Sequence, residues 1–211
     1  MRILVSSVLV VLNLGMSESL CSLSLILLSG SLDIGYAHQI SNQMKRYKLN
    51  TVTVAGVEFL DRARIIRISG IRLGTEFNTE SIEKGIEEIK KEYIRLGFIK
   101  ATVSFDKELR SLADGKFDGI ADLTIKIDQG DRFYIGIIEF YGNNKTRHKM
   151  LQSAAGLNIG EPYNPYKVEN WVRGLNKLNR LETVKKEDIE IEIDEKKEAV
   201  FIRFHIREKE K

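Results

Sequence analysis

Side chains able to do chemistry are thinly spread along the 211 residues. The densest run is Asp188-Ile189-Glu190-Ile191-Glu192-Ile193-Asp194, whose pairs Asp188/Glu190 and Glu192/Asp194 fall on one face of a strand. Two carboxylates so placed can in principle divide acid and base work. A solvated strand face accounts for them better. His38, His148 and His205 are far apart in sequence, which argues against a local histidine metal motif. Cys21 is the sole cysteine, so neither an internal disulfide nor a cysteine-based zinc site can form. No phosphate-binding loop, dinucleotide fingerprint, nucleophile elbow or H-E-x-x-H helix occurs. His148 follows Arg147 without an acid partner nearby, and Trp171 falls beside an apolar stripe, where core packing or docking is its expected role. Asn144-Lys145-Thr146 fits a glycosylation sequon, which is uninformative if the source is bacterial. The expectation is a protein without catalytic site, cofactor or metal.

The elements that carry these residues belong to a globular chain: 43% of residues are hydrophobic and 30% charged, which excludes wholesale disorder. Lys plus Arg is 33 against 30 acids, and a net charge of +3 does not call for nucleic acid. Residues 1–37 differ from the rest. They hold only three charges, Arg2, Glu18 and Asp33, and two apolar runs, Ile3–Leu14 and Leu20–Leu32. Gly35-Tyr36-Ala37 supplies small residues three and one before a cut at His38, as a secretory signal peptide requires. An uncleaved anchor helix is the competing reading, and both send the rest across a membrane. Leu20 before Cys21 does not suit a lipoprotein anchor. Residues 38–50 read as a polar linker with a basic cluster at Lys45, Arg46 and Lys48.

From there a unit of about 80 residues occurs twice with a period of 86. Gly56, Gly70, Gly74 and Asn78 return as Gly142, Gly156, Gly160 and Asn164, and Ile71, Leu73 and Phe77 return as Leu157, Ile159 and Tyr163. Ile82, Ile86 and Ile89 match Val168, Val172 and Leu175. In each copy a β-branched and aromatic strand (51–55; 133–141) precedes a short helix (58–69; 146–155). Gly70 and Gly156 stand where a left-handed C-cap is wanted. A second helix follows. In the first copy Ile82, Ile86, Ile89, Tyr93 and Leu96 form its apolar stripe, and Asn78 or Thr79 caps it. Pro165 suits the start of its counterpart. Two alternating strands close each copy, at 101–105 and 122–127, then at 188–194 and 199–206. The predicted fold is α+β: two tandem β-α-α-β-β domains, each a three-stranded sheet covered by two helices, at 51–130 and 131–208.

These residues resemble POTRA domains, the polypeptide-transport-associated modules of the barrel-assembly superfamily. The resemblance is carried by F-Y-I-G-I-I-E-F-Y-G-N at 133–143, the L-x-I-G-x-x-Y/F-N linker, the Gly97-Phe98 pair and the junction Asp128-Gln129-Gly130-Asp131-Arg132. It covers 51–208 and is nearest to the last POTRA pair of BamA-type proteins. The chain departs from them in having no barrel strands before Lys211, in Leu181-Glu182-Thr183 where Gly-Phe is expected, and in Gly56-Val57 for Gly-Asn. The resemblance implies a non-enzymatic protein at the periplasmic face of the outer membrane that assists outer-membrane protein assembly. Its implied partners are unfolded outer-membrane proteins, barrel-assembly components or a separate barrel protein. The chain is then either an accessory or the front piece of a split or truncated gene. An inner-membrane cell-division POTRA protein of the FtsQ kind is the alternative, although that type usually has one such domain.

An RNA-binding KH-like module shares the β-α-α-β order. Its loop needs two residues between glycines near phosphate, whereas Gly70 and Gly74 enclose Ile71-Arg72-Leu73, and the second copy has Leu157-Asn158-Ile159. An apolar loop implies packing, and no nucleic-acid partner is expected. In a sheet of this order the strand after the second helix lies at an edge, its unpaired backbone groups open to strand addition. The candidate protein-binding residues are Thr102, Val103, Ser104 and Phe105 in the first copy, which is favoured, and Ile189, Ile191 and Ile193 in the second. Glu190 and Glu192 beside the latter deter edge-to-edge aggregation.

Overall fold

Three alternating stretches of the first copy pair into one sheet in the computed structural model, which describes residues 45–112 and 115–210. The expectations for the leader, its exit before His38 and Cys21 lie outside these residues. Strand β1 (Tyr47–Ala55) is followed by helices α1 (Arg62–Ser69) and α2 (Thr79–Arg95), then by β2 (Thr102–Ser111) and β3 (Gly119–Asp128). The order in the sheet is β1-β3-β2, with β3 parallel to β1 and antiparallel to β2. Alternate β3 residues Leu123, Ile125 and Ile127 are buried with Ile65 of α1 and Ile82, Ile89 and Tyr93 of α2. The predicted stripe is therefore the buried face of α2, with Ile86 and Leu96 at its margins.

The second copy repeats the plan. It comprises β4 (Tyr134–Tyr141), α3 (His148–Ala155), α4 (Val168–Asn176), β5 (Ile189–Asp194) and β6 (Ala199–His205), in sheet order β4-β6-β5. Val200, Ile202 and Phe204 of the central strand pack with Leu151, Trp171 and Leu175. The fold is thus two tandem β-α-α-β-β domains of the α+β class. Gly70 and Gly156 end α1 and α3 in the left-handed region, at φ +66° and +68°. The Asn78 side chain accepts from Ser81 N–H (2.9 Å) and caps α2, while Asn164 accepts from Tyr166 N–H (3.0 Å) and caps the 3-10 turn Pro165–Lys167 that leads into α4. Among the described residues no helix is long and apolar enough to cross a membrane.

Several boundaries differ from the sequence reading, each for a physical reason. β1 starts at Tyr47, not Thr51, because the backbone beyond Gly74 pairs with its first residues and buries Leu49. A stretch that reads as polar linker is therefore strand from Tyr47 on. β2 runs on to Ser111 through Asp106-Lys107-Glu108, a charge run that resembles a strand end but keeps its ladder with β3. α1 begins at Arg62 because the Asp61 carboxylate accepts from Arg64 N–H (2.8 Å). Trp171 reads as standing beside the stripe and takes the first of its two expected roles, packing inside the second core. The loops at 71–73 and 157–159 are only half packing. Leu157 is buried, but Leu73 and Ile159 are 62% and 61% exposed, which corrects the expectation of an apolar packed loop. The repeat also breaks at the helix crossing. α2 approaches the Ser69 carbonyl through Gly85, whose counterpart one period on is Trp171, and α4 meets the Ala154 carbonyl through Gly174.

Candidate functional site

Each sheet has two edges, and the sequence treats them differently. At the β1 edge, Leu49 N–H donates to the Thr75 carbonyl (2.8 Å), Gly74 N–H to that of Leu49 (2.7 Å) and Phe77 N–H to that of Tyr47 (2.7 Å). At the β4 edge, Ile135 N–H donates to Glu161 (2.8 Å), Gly160 N–H to Ile135 (2.7 Å) and Tyr163 N–H to Phe133 (2.9 Å). The repeated glycine-aromatic-asparagine linker therefore covers the edge of the first strand in both copies. An edge so covered is closed to further pairing along that stretch.

The opposite edges carry the predicted residues. Among the described residues β2 pairs with β3 alone, and Thr102, Val103, Ser104 and Phe105 face Asp128, Ile127, Lys126 and Ile125. Val103 and Phe105 lean half-buried on the first core, while Thr102 and Ser104 are exposed. Ile189, Ile191 and Ile193 of β5 face Phe204, Ile202 and Val200 of β6. The two sets lie on separate sheets. β2 is ten residues long and β5 six, so the first copy offers the longer edge. Lys107, Glu108 and Leu109 also belong to that edge. The sequence reading stopped short of them, although Val103, Phe105 and Leu109 keep the period-two spacing that marks one face.

A central charge staples the outer face of each sheet. In the first copy the Asp122 carboxylate accepts from Asn50 Nδ2 (2.8 Å) and Thr51 Oγ1 (2.5 Å) and pairs with Arg110, so it ties β1 and β2 to β3. These donors, Thr51 first, lower its pKa from 3.8 to about 2. In the second copy the central residue is a base. Arg203 donates to Glu139 of β4 (3.1 Å) and to Glu190 (3.2 Å) and Glu192 (2.8 Å) of β5. The other two acids of the run are also engaged: Asp188 accepts from Lys185 N–H (2.7 Å), and Asp194 from Lys196 and Lys197 N–H (3.1 and 3.2 Å). The run is therefore spent on ion pairs and turns. Among the described residues no group of three or more His, Cys, Asp or Glu is placed to hold a metal ion.

The Asp122 staple has a pH signature. A carboxylate whose pKa falls on folding contributes stability above its unfolded value, near 3.8, and loses it as pH drops through the folded value, about 2. Asp122→Asn is expected to lower the denaturation midpoint at neutral pH, with the difference from the parent shrinking between pH 4 and 2 as acid removes the same charge. Urea titrations across that range check this.

The copies meet at Gly97 and Arg132. Phe133 N–H donates to the Gly97 carbonyl (2.9 Å), and Arg132 Nε donates to the Leu96 carbonyl (2.8 Å). The Arg132 guanidinium sits 4.6 Å from the ring centre of Phe59, 5.6 Å from Phe98 and 5.5 Å from Tyr134, in cation–π geometry with rings from both copies. Phe98 enters the first core while its neighbour Ile99 packs against the second. Lys100 pairs with Glu195 (2.6 Å) across the same joint.

The described residues thus form two copies of a small sheet-and-helix module, each with one covered and one uncovered sheet edge, joined by a packed acidic-glycine-basic turn. The sequence model of the POTRA family, described as a surface antigen variable number repeat, matches residues 47–130 and again 133–209. The chain belongs to the POTRA family. Among solved structures it is similar to BamA from Haemophilus ducreyi lacking POTRA domains 1–3, with 19% identity, TM-score 0.52, and coverage of 77% of this chain and 30% of that one. It is also similar to Haemophilus influenzae BamA POTRA3-5, with 21% identity, TM-score 0.48, and coverage of 76% and 61%. The chain thus spans less than two thirds of either structure's length.

Proposed function

We propose that this chain is a non-enzymatic POTRA protein at the periplasmic face of the outer membrane, where it assists outer-membrane protein assembly by pairing extended guest segments with the β2 edge. Unfolded outer-membrane proteins and barrel-assembly components, or a separate barrel protein, are its partners. The observation that carries the reading is the asymmetry of the edges: β1 is covered by residues 74–77, whereas β2 offers ten residues of backbone beside a half-buried apolar row. Main-chain pairing is largely indifferent to guest sequence, which suits a handler of many clients. The family membership and the leader-like character of residues 1–37 support the location. A mature N-terminus near His38, read by intact mass, is the matching expectation.

Adjacent strand residues turn their N–H groups to opposite sides of the strand. Of Val103→Pro and Ser104→Pro, one therefore removes a ladder bond to β3 and the other an outward donor. Proline is tolerated on an edge when its missing N–H faces solvent. The outward variant is expected to keep its melting temperature within a few degrees and to bind unfolded barrel peptides about five- to tenfold more weakly, the value of one hydrogen bond. A folded outward variant with unchanged affinity overturns the reading.

A further inference from the structure

We infer that the β2 edge selects guest strands that place a lysine or arginine beside Glu108, on the outer face, and apolar side chains beside Val103, Phe105 and Leu109 on the helix side. This rests on strand addition at β2 and names its guest. The outer face of β2 carries three charges, at Asp106, Glu108 and Arg110. Asp106 is neutralised by Lys126, and Arg110 by Asp122. Glu108 is different. Its ladder partner on β3 is Asp122, so a carboxylate faces a carboxylate across the strands, an unfavourable cross-strand pair. Asp122 is held ionised by Asn50, Thr51 and Arg110. Arg110, two residues along, lies within the field of Glu108, but its guanidinium is bonded to Asp122. A guest strand occupies the free side of Glu108, and a cation there relieves the repulsion from within the ladder.

The helix side sets the second requirement. Val103 and Phe105 are half-buried, Leu109 is 43% exposed, and the Lys107 ammonium lies 5.4 Å from the ring centre of Phe77. Apolar guest residues complete this row. The guest is therefore a cationic amphipathic strand. A second copy of the chain fits poorly. In the two longest antiparallel registers that keep the helices on one side, Asp106 meets either itself or Glu108 of the other copy.

The test uses the full chain and two synthetic alternating peptides that differ only in a central lysine or glutamate on the polar face, with binding read by fluorescence anisotropy. The lysine peptide is expected to bind about fivefold more tightly, the scale of a cross-strand charge pair. The gap closes in about 1 M salt, vanishes in Glu108→Gln and reverses in Glu108→Lys. Equal binding of the two peptides to the parent, or a gap that survives Glu108→Gln, overturns the charge selection and leaves strand addition standing. Failure of both peptides to bind overturns strand addition, and this inference with it.

Discussion

Replacing Gly97 by valine is expected to split the melting of the protein into two transitions. Gly97 has φ +99°, and a Cβ built on it would lie 2.9 Å from the Phe133 carbonyl oxygen and 3.2 Å from Pro162 Cβ. A β-branched residue in that backbone region costs about 1–3 kcal/mol in strain alone. Relief requires the Gly97–Phe133 hydrogen bond to open, and with it the seat of Arg132 among Phe59, Phe98 and Tyr134. Cores joined by Ile99 and this joint should unfold as one unit in the parent. In the variant they should unfold separately, and small-angle scattering should show a broader distribution of maximum dimension. Arg132→Ala is the milder form of the same experiment. It deletes the charge and its hydrogen bond while leaving the backbone relaxed. Calorimetry showing one unchanged transition in both variants would remove the joint as the source of coupling.

Trp171→Ala should be the most damaging single truncation. Trp171 is 2% exposed, packs among Leu151, Leu175 and Phe204, and stands with its ring centre 6.3 Å from that of Tyr163. Truncating a buried aromatic of this size costs about 3–5 kcal/mol, a large share of the stability of a domain this small. Hydrogen exchange should show the second sheet losing protection while β3 and the buried face of α2 keep theirs. Trp171→Phe should restore most of it. As the sole tryptophan, Trp171 also reports by its own fluorescence on the second copy alone.

The parts of this fold legible in the sequence are those written in local periodicity. Ile82, Ile89 and Tyr93 announce a helix face, and Val200, Ile202 and Phe204 a strand face; all six are buried where the pattern puts them. The order of elements follows from the 86-residue repeat. What escaped was set by partners distant in sequence. Tyr47 and Leu49 look like linker until Thr75 and Phe77 pair with them, and Asp106-Lys107-Glu108 looks like a strand end until β3 supplies Thr124, Leu123 and Asp122 opposite. For Trp171 the sequence leaves core packing and docking both open, because the matching position of the first helix pair holds Gly85 and the repeat offers no guide there. For the candidate site, the edge position of β2 followed from element order. The closing of the other edge did not, because a linker of Gly74, Phe77 and Asn78 carries no sign that its backbone will finish a strand.

The different positions of the two outer-face staples along their strands bear on how tandem copies avoid exchanging strands as they fold. Neighbouring repeats of one module are prone to misassembly because each strand has a near-duplicate site in the other copy. Were β4 to settle beside β3 in the register of β1, Ile137 would stand opposite Asp122 and leave it without the Thr51 donor. Were β1 to settle beside β6, the uncharged Thr53 would stand opposite Arg203 where Glu139 belongs. Each central strand thus accepts its own first strand and penalises its twin's. Giving the first copy the pair of the second, with Thr53→Glu and Thr124→Arg together, would erase that distinction, and swapped or trapped species should then accumulate on refolding.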